Sequence, residues 1–358
     1  MTDLNLEKIL LPNAHVFRGH EFPVAYDLHN DDGSHSPDDV AAFLAELGTQ
    51  GFFNEQLKNH GVVVLRHTGT TDPEVISRYV EAIATSSGDA EFEQTGATAK
   101  RTIVTPHLST ANEGPSGMTI YQHNEFSRFL KYPSKLFFVC TRYKASGGST
   151  PLVHGGELFA ALEQIYPDFL TELGNKGLYM KQTWPLETDN NTAWRDYFCF
   201  GRNLDRDEDL ETQKKKASVL VEEFVSRDYY FDENNDLIVG QHSKPIRSYK
   251  ASETESYPVL FNSIVAYYGD AKFKSNAYHK TAALEYDNSM PIPEKYLDEL
   301  VEQSIKLAYH HEWQEDDIAI VDNLQVSHGR EPWAGERHIL VSMWHRVNKP
   351  EYEPWTRK

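Results

Sequence analysis

The sequence predicts a mainly β fold, with one barrel or sandwich core and several helices around it. Short runs of β-branched and aromatic residues recur between residues 61 and 344, and helices with clear start signals or an apolar face lie between them. No internal repeat, low-complexity tract or linker divides the chain. Many short strands with inserted helices are typical of a single β core with helical decoration.

The first elements follow from local signals. Residues 1–35 are rich in Asn, Asp, Gly, His and Pro and predict an irregular N-terminal arm. Ser36 is a good N-cap, followed by proline and two acids, for a helix that runs to about Leu47. Residues 61–65 form a β-branched run, which predicts a buried strand. Asp72 is the N-cap of a second helix, with apolar residues at helical spacing.

The middle of the chain alternates between irregular and regular stretches. Residues 88–117 are rich in Gly, Thr, Ser and Asn, and we expect a loop there that could close over a site. Residues 135–141 predict a clear strand, and a glycine turn after it leads to another extended segment. Residues 157–173 predict a helix that is interrupted at Pro167.

The second half predicts a charged inserted segment over about residues 190–256. The further elements are a hairpin over residues 229–239, a strand at 258–263, an amphipathic helix over 293–308, and strands at 318–323 and 338–344. We therefore expect a single domain over residues 1–358, with the arm and the inserted segment as its additions.

Composition excludes several classes of function. The formal net charge is −19, which repels phosphate backbones and anionic lipids, so we expect no nucleic-acid partner. Two cysteines, Cys140 and Cys199, cannot form a disulfide framework and are expected as buried free thiols in a reducing compartment. No secretory signal is readable, and no apolar run approaches the roughly 20 residues that span a bilayer. We expect a cytoplasmic protein that does not enter a membrane.

A metal site is suggested by His123 and Glu125. On a β-strand, side chains two residues apart leave the same face, so this pair could bind one ion together. On a helix the two would not face each other. The same His-x-acid pattern occurs at residues 29–31 and 310–312, so the pattern alone does not separate a metal site from charged surface.

The best third ligand is His328, which follows a predicted strand at a glycine turn. Two histidines and one carboxylate on one face of an ion leave three positions open. That arrangement suits non-haem Fe(II) oxygenases, because a bidentate cosubstrate and dioxygen can both bind. The alternative for His328 is a hydrogen-bonded turn histidine.

Two further residues fit a dicarboxylate cosubstrate. Arg337 begins an apolar strand, where a lone guanidinium needs an anionic partner. Thr150 offers a hydroxyl donor after the glycine turn. The alternatives are a surface ion pair for Arg337 and an ordinary strand hydroxyl for Thr150.

Taken together, these residues resemble the Fe(II)/2-oxoglutarate dioxygenases of the taurine dioxygenase and clavaminate synthase-like family. The resemblance covers about residues 52–347. The matching elements, in the family's order, are His123-Asn124-Glu125, the turn at residues 147–151, Asp322-Asn323 leading into His328-Gly329-Arg330, and Gly335-Glu336-Arg337.

The resemblance implies a double-stranded β-helix, the jelly-roll core of cupin-like proteins. It also implies that His123, Glu125 and His328 hold iron, and that Arg337 binds 2-oxoglutarate with help from Thr150. Fe(II), 2-oxoglutarate and dioxygen would then be required. Related halogenases lack a carboxylate at the position of Glu125, so this residue argues against halogenation.

The implied reaction oxidises an unactivated C–H and decarboxylates 2-oxoglutarate to succinate and CO2, giving hydroxylation, desaturation or cyclisation. We expect a small amino-acid-like or carboxylated substrate in specialised metabolism. Taurine dioxygenase has a second arginine where this chain has Val341, which argues against taurine. The candidate substrate residues are Tyr121, Arg128, Arg101, Arg195 and Arg330.

Three alternatives remain open at this point. A peptidyl or protein hydroxylase of the jumonji type shares the His-x-acid and His ligands, but such enzymes usually anchor the cosubstrate through a lysine on another strand. A non-catalytic metal-binding β-barrel would bind metal without consuming 2-oxoglutarate. An interaction protein with fortuitous histidines would do neither.

Overall fold

A computed structural model describes residues 4–30, 32–111, 113–189, 191–273, 284–347 and 352–357. Residues 1–3 and 31 of the predicted arm, residue 112 of the predicted loop and residue 190, where the predicted inserted segment begins, lie outside the described residues.

The described residues form short strands and helices throughout. The strands are β1 Glu7–Ile9, β2 His15–Phe17, β3 His20–Phe22, β4 Val24–Asp27, β5 Val62–Arg66, β6 Asp89–Glu91, β7 Ser109–Thr110, β8 Ile120–His123, β9 Lys135–Gly147, β10 Thr150–His154, β11 Leu178–Trp184, β12 Asp228–Phe231, β13 Leu237–Ser243, β14 Ile246–Lys250, β15 Ser256–Leu260, β16 Leu284–Tyr286, β17 Tyr309–His311, β18 Ile318–Asp322, β19 Val326–Arg330 and β20 Trp333–Arg346. The helices are α1 Pro37–Thr49, α2 Phe52–His60, α3 Pro73–Ser86, α4 Gly155–Ile165, α5 Pro167–Lys176, α6 Leu210–Phe224, α7 Ile264–Phe273 and α8 Glu294–Lys306, with a short π-helical turn at Tyr197–Gly201.

The larger sheet has eight strands, in the order β1-β4-β5-β18-β9-β20-β6, with β7 also paired to β20. Both of its faces are covered, and the alternation of side chains in β5 shows how. Val63 and Leu65 pack against the apolar faces of α1 and α3. Val62 and Val64 face the opposite way, into the apolar core that contains the site. A strand buried on both faces reads as a continuous apolar run, which is why the sequence predicted it as buried.

A four-stranded sheet, in the order β17-β10-β19-β8, faces that core from the other side. Leu152 of β10 and Val326 of β19 lie in the same apolar cluster as Phe138 of β9 and Val321 of β18. The two sheets therefore share one core, and the fold is a mixed, sheet-rich one with helices. Strand β8 lies at one edge of the smaller sheet and β19 is its neighbour, so the candidate ligands are brought to that edge.

The predicted inserted segment packs against this core. Its hairpin is confirmed as β12 and β13, and both strands belong to a second four-stranded sheet with β11 and β16. Trp194, Phe200 and Leu220 are buried in the same apolar cluster as Phe138. The segment thus forms part of the wall around the site.

Several predicted elements are confirmed. Ser36 caps α1 with a reciprocal hydrogen-bond pair to Asp39. Asp72 caps α3, and the helix predicted over residues 157–173 is interrupted at Pro167, where α4 gives way to α5. Both cysteines are free and buried, as expected.

The prediction of an irregular N-terminal arm is wrong. Residues 7–27 contain four short strands, and two of them, β1 and β4, extend the larger sheet. β4 pairs in parallel with β5, from Val24 opposite Val63 to Asp27 opposite Arg66. These strands are only three or four residues long, and β4 pairs with a strand about forty residues away, so their short sequences did not reveal them.

Candidate metal centre

Three potential ligands converge at the edge of the smaller sheet. His123 ends β8 and lies directly opposite His328 of the antiparallel strand β19. Their ring centroids are 4.5 Å apart. One donor atom from each of His123, Glu125 and His328 lies within 4.8 Å of the other two. No other such cluster of His, Cys, Asp or Glu occurs among the residues that the structure describes.

Glu125 is positioned differently from what the sequence predicted. Strand β8 ends at His123, so Glu125 lies in the following turn and does not share a strand face with it. The backbone N–H of Glu125 donates to Asn323 Oδ1 at 2.8 Å, and Asn323 Nδ2 donates back to the Glu125 carbonyl at 3.0 Å. Phe126 then adopts a left-handed backbone conformation with φ of 54°. The buried amide of Asn323 and this turn together aim the carboxylate at the two imidazoles.

The protonation states favour metal binding. Burial would raise the pKa of Glu125, but the Arg101 guanidinium and the two imidazoles hold it well below its usual range. Burial and the neighbouring His123 lower the pKa of His328 to about 4. Near neutral pH the centre therefore offers an ionised carboxylate and a neutral imidazole, which are the forms that bind metal ions.

The tautomer of His123 also fits a metal ligand. Its Nδ1 lies 3.0 Å from the carbonyl oxygen of Tyr121, so Nδ1 carries the proton and donates it there. The lone pair is then on Nε2, which lies 3.5 Å from Glu125 Oε2. A metal-binding histidine is usually fixed by such a hydrogen bond from its other nitrogen. Two imidazoles and one carboxylate suit a divalent transition metal such as Fe(II).

Arg337 and Thr150 meet at the glycine turn. Arg337 Nε donates to the carbonyl oxygen of Gly148 at 2.8 Å, and its Nη2 is 3.4 Å from Thr150 Oγ1. Trp313 Nε1 also donates to Thr150 Oγ1, at 3.0 Å. Because this hydroxyl accepts from two donors, its own proton is available to a ligand.

The turn itself depends on Gly148. It has a φ of 81°, and a Cβ at this position would lie 2.8 Å from Arg337 Cδ and 2.9 Å from Trp333 Cβ. A larger residue would displace the arginine. Burial lowers the pKa of Arg337 to about 10, which still leaves it charged near neutral pH. No carboxylate of the described residues forms an ion pair with Arg337, so the surface ion pair considered above is not found there.

A cavity of about 330 Å³ opens beside the three ligands. Its lining includes His123 and Glu125 and three of the predicted substrate residues, Arg101, Arg128 and Arg330. The other two predicted residues are placed elsewhere, because neither lines this cavity. Tyr121 stacks on Phe273 with ring centroids 5.7 Å apart, and Arg195 pairs with Glu187.

The structure adds lining residues that the sequence did not indicate. They include Lys100, Glu113, Asp189, Ser263, Tyr267 and Asp270. Tyr267 and Asp270 are one turn apart on α7, a mostly apolar helix. An aspartate within such an apolar stretch is unusual, because carboxylates are rarely buried. This was the feature of the sequence that could have pointed to Asp270. Part of the predicted loop over residues 88–117 also borders the cavity, between residues 97 and 114.

Comparison with known proteins identifies the family. A family model described as "Taurine catabolism dioxygenase TauD, TfdA family" matches residues 26–344. The chain belongs to this family. It is an iron- and 2-oxoglutarate-dependent dioxygenase, as the sequence predicted, and it requires Fe(II), 2-oxoglutarate and dioxygen.

Individual relatives of this dioxygenase are distant. A clavaminate synthase-like protein of Arabidopsis thaliana is 26% identical over 306 residues, which cover 84% of this chain and 87% of that protein. The dapdiamide synthesis protein DdaC of Enterobacter agglomerans is 20% identical over 325 residues, covering 85% and 89% respectively.

A solved structure shares the fold. AAD-2 in complex with Mn(II) and N-oxalylglycine superimposes with a TM-score of 0.50 at 13% identity, covering 98% of this chain and all of that one. The likeness supports the same sheet-rich fold with helices. Among the described residues of the TauD-family chain, no helix is both long and apolar enough to cross a membrane.

Proposed function

We propose that this dioxygenase oxidises an unactivated C–H of a small, amino-acid-like substrate while 2-oxoglutarate is decarboxylated to succinate and CO2. His123, Glu125 and His328 would hold the iron. The observation that carries this proposal is the convergence of their three donor atoms within 4.8 Å, with His123 and Glu125 also lining a cavity. A relative named for dapdiamide synthesis supports a role in biosynthesis.

The ligand residues orient and protect the centre. Bound iron supplies the one-electron and dioxygen chemistry that protein side chains lack. Glu125 and His328 are buried at 8% and 6% exposure, so both are fixed by packing before a ligand arrives. Phe138 covers one side of His328, with ring centroids 4.9 Å apart, and helps to exclude water from the centre.

Arg337 and Thr150 would bind the far carboxylate of 2-oxoglutarate. The guanidinium is held in place by the Gly148 carbonyl and by the Trp333 ring, whose centroid is 5.3 Å from the guanidinium carbon. Thr150 contributes its free hydroxyl proton. A cation and a hydroxyl aimed together suit one end of a dicarboxylate.

The charges around the cavity support an amino-acid-like substrate. Arginines and buried Asp270 line the same space, so the lining offers both signs of charge to a molecule that carries both. Val341 is buried in the apolar core, at the position where taurine dioxygenase has its second arginine. This difference argues against taurine. The carboxylate of Glu125 argues for hydroxylation, desaturation or cyclisation rather than halogenation.

We also propose that the two sheets around the shared core form a double-stranded β-helix within a single domain over residues 1–358. The sheets of eight and four strands enclose one apolar cluster, which supports this architecture. The buried free thiols of Cys140 and Cys199 support a cytoplasmic location. Membership in the TauD family counts against both the jumonji-type hydroxylase and the non-catalytic barrel.

The direct test is an anaerobic titration of Fe(II) and 2-oxoglutarate into the apoprotein. We expect a visible metal-to-ligand charge-transfer band in the wild type and no band in His328→Ala or Arg337→Ala. Tight metal binding without any band in the wild type would contradict the proposed site.

A further inference from the structure

Arg128 is a buried cation without an acidic partner among the described residues. Its exposure is 8%, and it lines the same cavity as His123 and Glu125. Its Nη2 donates to the neutral side-chain oxygen of Gln182 at 2.9 Å. Its Nε is buried and has no acceptor within the described residues. A buried charge is normally paired with an opposite charge. The guanidinium of Arg128 forms no such ion pair among the described residues.

The guanidinium is nevertheless held in one place. Its central carbon lies 4.8 Å from the ring centroid of Phe129 and 4.9 Å from that of Tyr267. Gln182, which accepts from it, is itself fixed by a hydrogen bond from Gln241 at 3.2 Å. Aromatic contacts stabilise the cation without using its N–H donors, so the donors that do not bind Gln182 remain for a ligand. A receptor that is ordered before binding loses little entropy when the ligand arrives.

Other buried arginines in this protein have partners. Arg101, in the same cavity, pairs with Glu125 at 2.8 Å. Arg330 donates to the carbonyl oxygens of residues 114, 115 and 118. Arg66, the last residue of β5 in the larger sheet, pairs with buried Asp317 at 3.1 Å. Arg101 and Arg66 thus each form an ion pair with a carboxylate, whereas Arg128 forms none with an acid of the described residues. Arg101 Nε and Nη1 share with Arg128 Nε the lack of an acceptor there, so the distinguishing feature of Arg128 is the missing ion pair.

We propose that Arg128 binds a carboxylate of the substrate, and that the substrate class is therefore a small carboxylic acid. This inference rests on the proposed function, because the cavity must be the substrate site. Arg128 follows Glu125 by three residues, and both line the cavity, so the bound acid is held beside the metal centre. The C–H that is oxidised then lies on the part of the acid that extends toward His123.

The proposal predicts a strong preference for free acids over their amides. A carboxamide cannot neutralise the guanidinium, and it leaves a charged donor unpaired in a dry site. We expect the carboxamide to bind at least about 10-fold more weakly than the acid, because a lost charged hydrogen bond costs roughly that factor or more.

The test uses the Mn(II) form of the protein loaded with 2-oxoglutarate, in which ligand binding is measured by calorimetry without turnover. The probes are the standard L-amino acids and their C-terminal carboxamides. In the wild type we expect at least one acid to bind at least about 10-fold more tightly than its amide. In Arg128→Gln this ratio should fall to near one, and Arg128→Lys should keep part of it. Arg195→Gln is the matched control, and the ratio should stay unchanged.

Three outcomes overturn the inference. Binding of acids and amides with equal affinity, or no binding of any acid in the panel, removes the carboxylate receptor. An unchanged ratio in Arg128→Gln assigns the preference to another residue. Loss of 2-oxoglutarate binding in Arg128→Gln assigns Arg128 to the cosubstrate instead.

A stability measurement separates a ligand-binding role from a structural one. Without ligand, Arg128→Gln should melt within a few degrees of the wild type, because the substitution removes a charge that has no acidic partner. Arg66→Gln breaks a buried ion pair and should melt at a temperature well below that of the wild type. An equal loss of melting temperature in both variants would make Arg128 structural and overturn the inference. The proposed function fails separately, if the wild type does not bind Mn(II) and 2-oxoglutarate at all.

Discussion

Arg101 holds one oxygen of Glu125 and leaves the other to the histidines. Its Nη2 donates to Glu125 Oε1 at 2.8 Å, whereas Oε2 lies 3.5 Å from His123 Nε2 and 3.7 Å from His328 Nε2. One oxygen of the carboxylate therefore binds Arg101, and the other faces the candidate metal position. Only Oε2 is free to bind an ion, so this geometry favours a ligand that binds through one oxygen. It also ties the loop over residues 88–117 to the metal centre.

This relationship predicts how Arg101→Gln changes stability. In the metal-free protein Arg101 is the counter-charge of a buried carboxylate, and removing one partner of such a pair destabilises a protein by about 3–5 kcal/mol. A bound divalent cation replaces that charge. We therefore expect metal-free Arg101→Gln to melt at a lower temperature than the metal-free wild type. Saturating Mn(II) should raise the melting temperature of Arg101→Gln by more than it raises that of the wild type.

The control for this prediction is Arg101→Lys, which keeps the charge and should have a melting temperature between those of the wild type and Arg101→Gln. Thermal melts with and without Mn(II) measure the melting temperature of each protein and its increase on metal binding. An equal Mn(II) increment in wild type and Arg101→Gln would show that Arg101 does not compensate the charge of Glu125.

The ligand set predicts which histidines are required for metal binding. His328→Ala removes one of three donors, so metal affinity should fall by more than the roughly 10–100-fold that loss of an outer-shell partner causes. His310→Ala is the matched control, because His310 belongs to a competing His-x-acid pattern but is half-exposed and pairs with Glu331. Titration with Mn(II) should give nearly the wild-type affinity for this control. Similar losses in both variants would contradict the assignment.

Thr150→Val tests the proposed cosubstrate site. Valine keeps the shape of threonine but removes the hydroxyl that accepts from Trp313 Nε1 and from Arg337 Nη2. We expect about a 5–10-fold loss of 2-oxoglutarate affinity, equivalent to one net hydrogen bond of about 1–1.5 kcal/mol. Affinity for the metal alone should not change. Ser149→Ala, one residue away, is the control, since Ser149 Oγ donates to Glu331 and does not contact Arg337. A loss in Ser149→Ala as large as in Thr150→Val would indicate a general effect on the turn.

The sequence predicted which candidate ligands lie close together better than it predicted how they are held. Four of the predicted residues lie in strands or at their ends, where runs of β-branched residues and a glycine turn can be recognised in the neighbouring sequence; they are His123, His328, Arg337 and Thr150. The position of Glu125 depends on a buried amide about two hundred residues away in the chain. No periodicity encodes such a contact, because it forms only when the two sheets meet.

The same reason explains the other differences. Tyr267 and Asp270 reach the cavity because α7 packs against β8, and that packing depends on the tertiary fold. Tyr121 precedes His123 by two residues, yet it is packed against α7, where Gly269 leaves room for its ring. Arg128 was one of five arginine and tyrosine candidates in the sequence. Only the structure shows that it is buried without an acidic partner among the described residues.

Asn323 provides the sharpest test of how Glu125 is positioned. Its side chain is fully buried, accepts from the Glu125 N–H and donates to the carbonyl oxygens of Glu125 and Pro133, at 2.8–3.0 Å. Asn323→Ala leaves those backbone groups unpaired, which costs about 1–3 kcal/mol for each group that stays dry. The turn that carries Glu125 then loses its anchor, and Mn(II) affinity should fall about 10-fold or more, as it does when outer-shell contacts of a metal ligand are removed.

Asn54→Ala is the control, because it removes a hydrogen bond to the Ser87 carbonyl far from the centre. It should keep the wild-type Mn(II) affinity when both variants are measured well below their melting temperatures. If Asn323→Ala binds Mn(II) as tightly as the wild type, then Arg101 and the two histidines suffice to orient the carboxylate, and the buried amide only stabilises the fold.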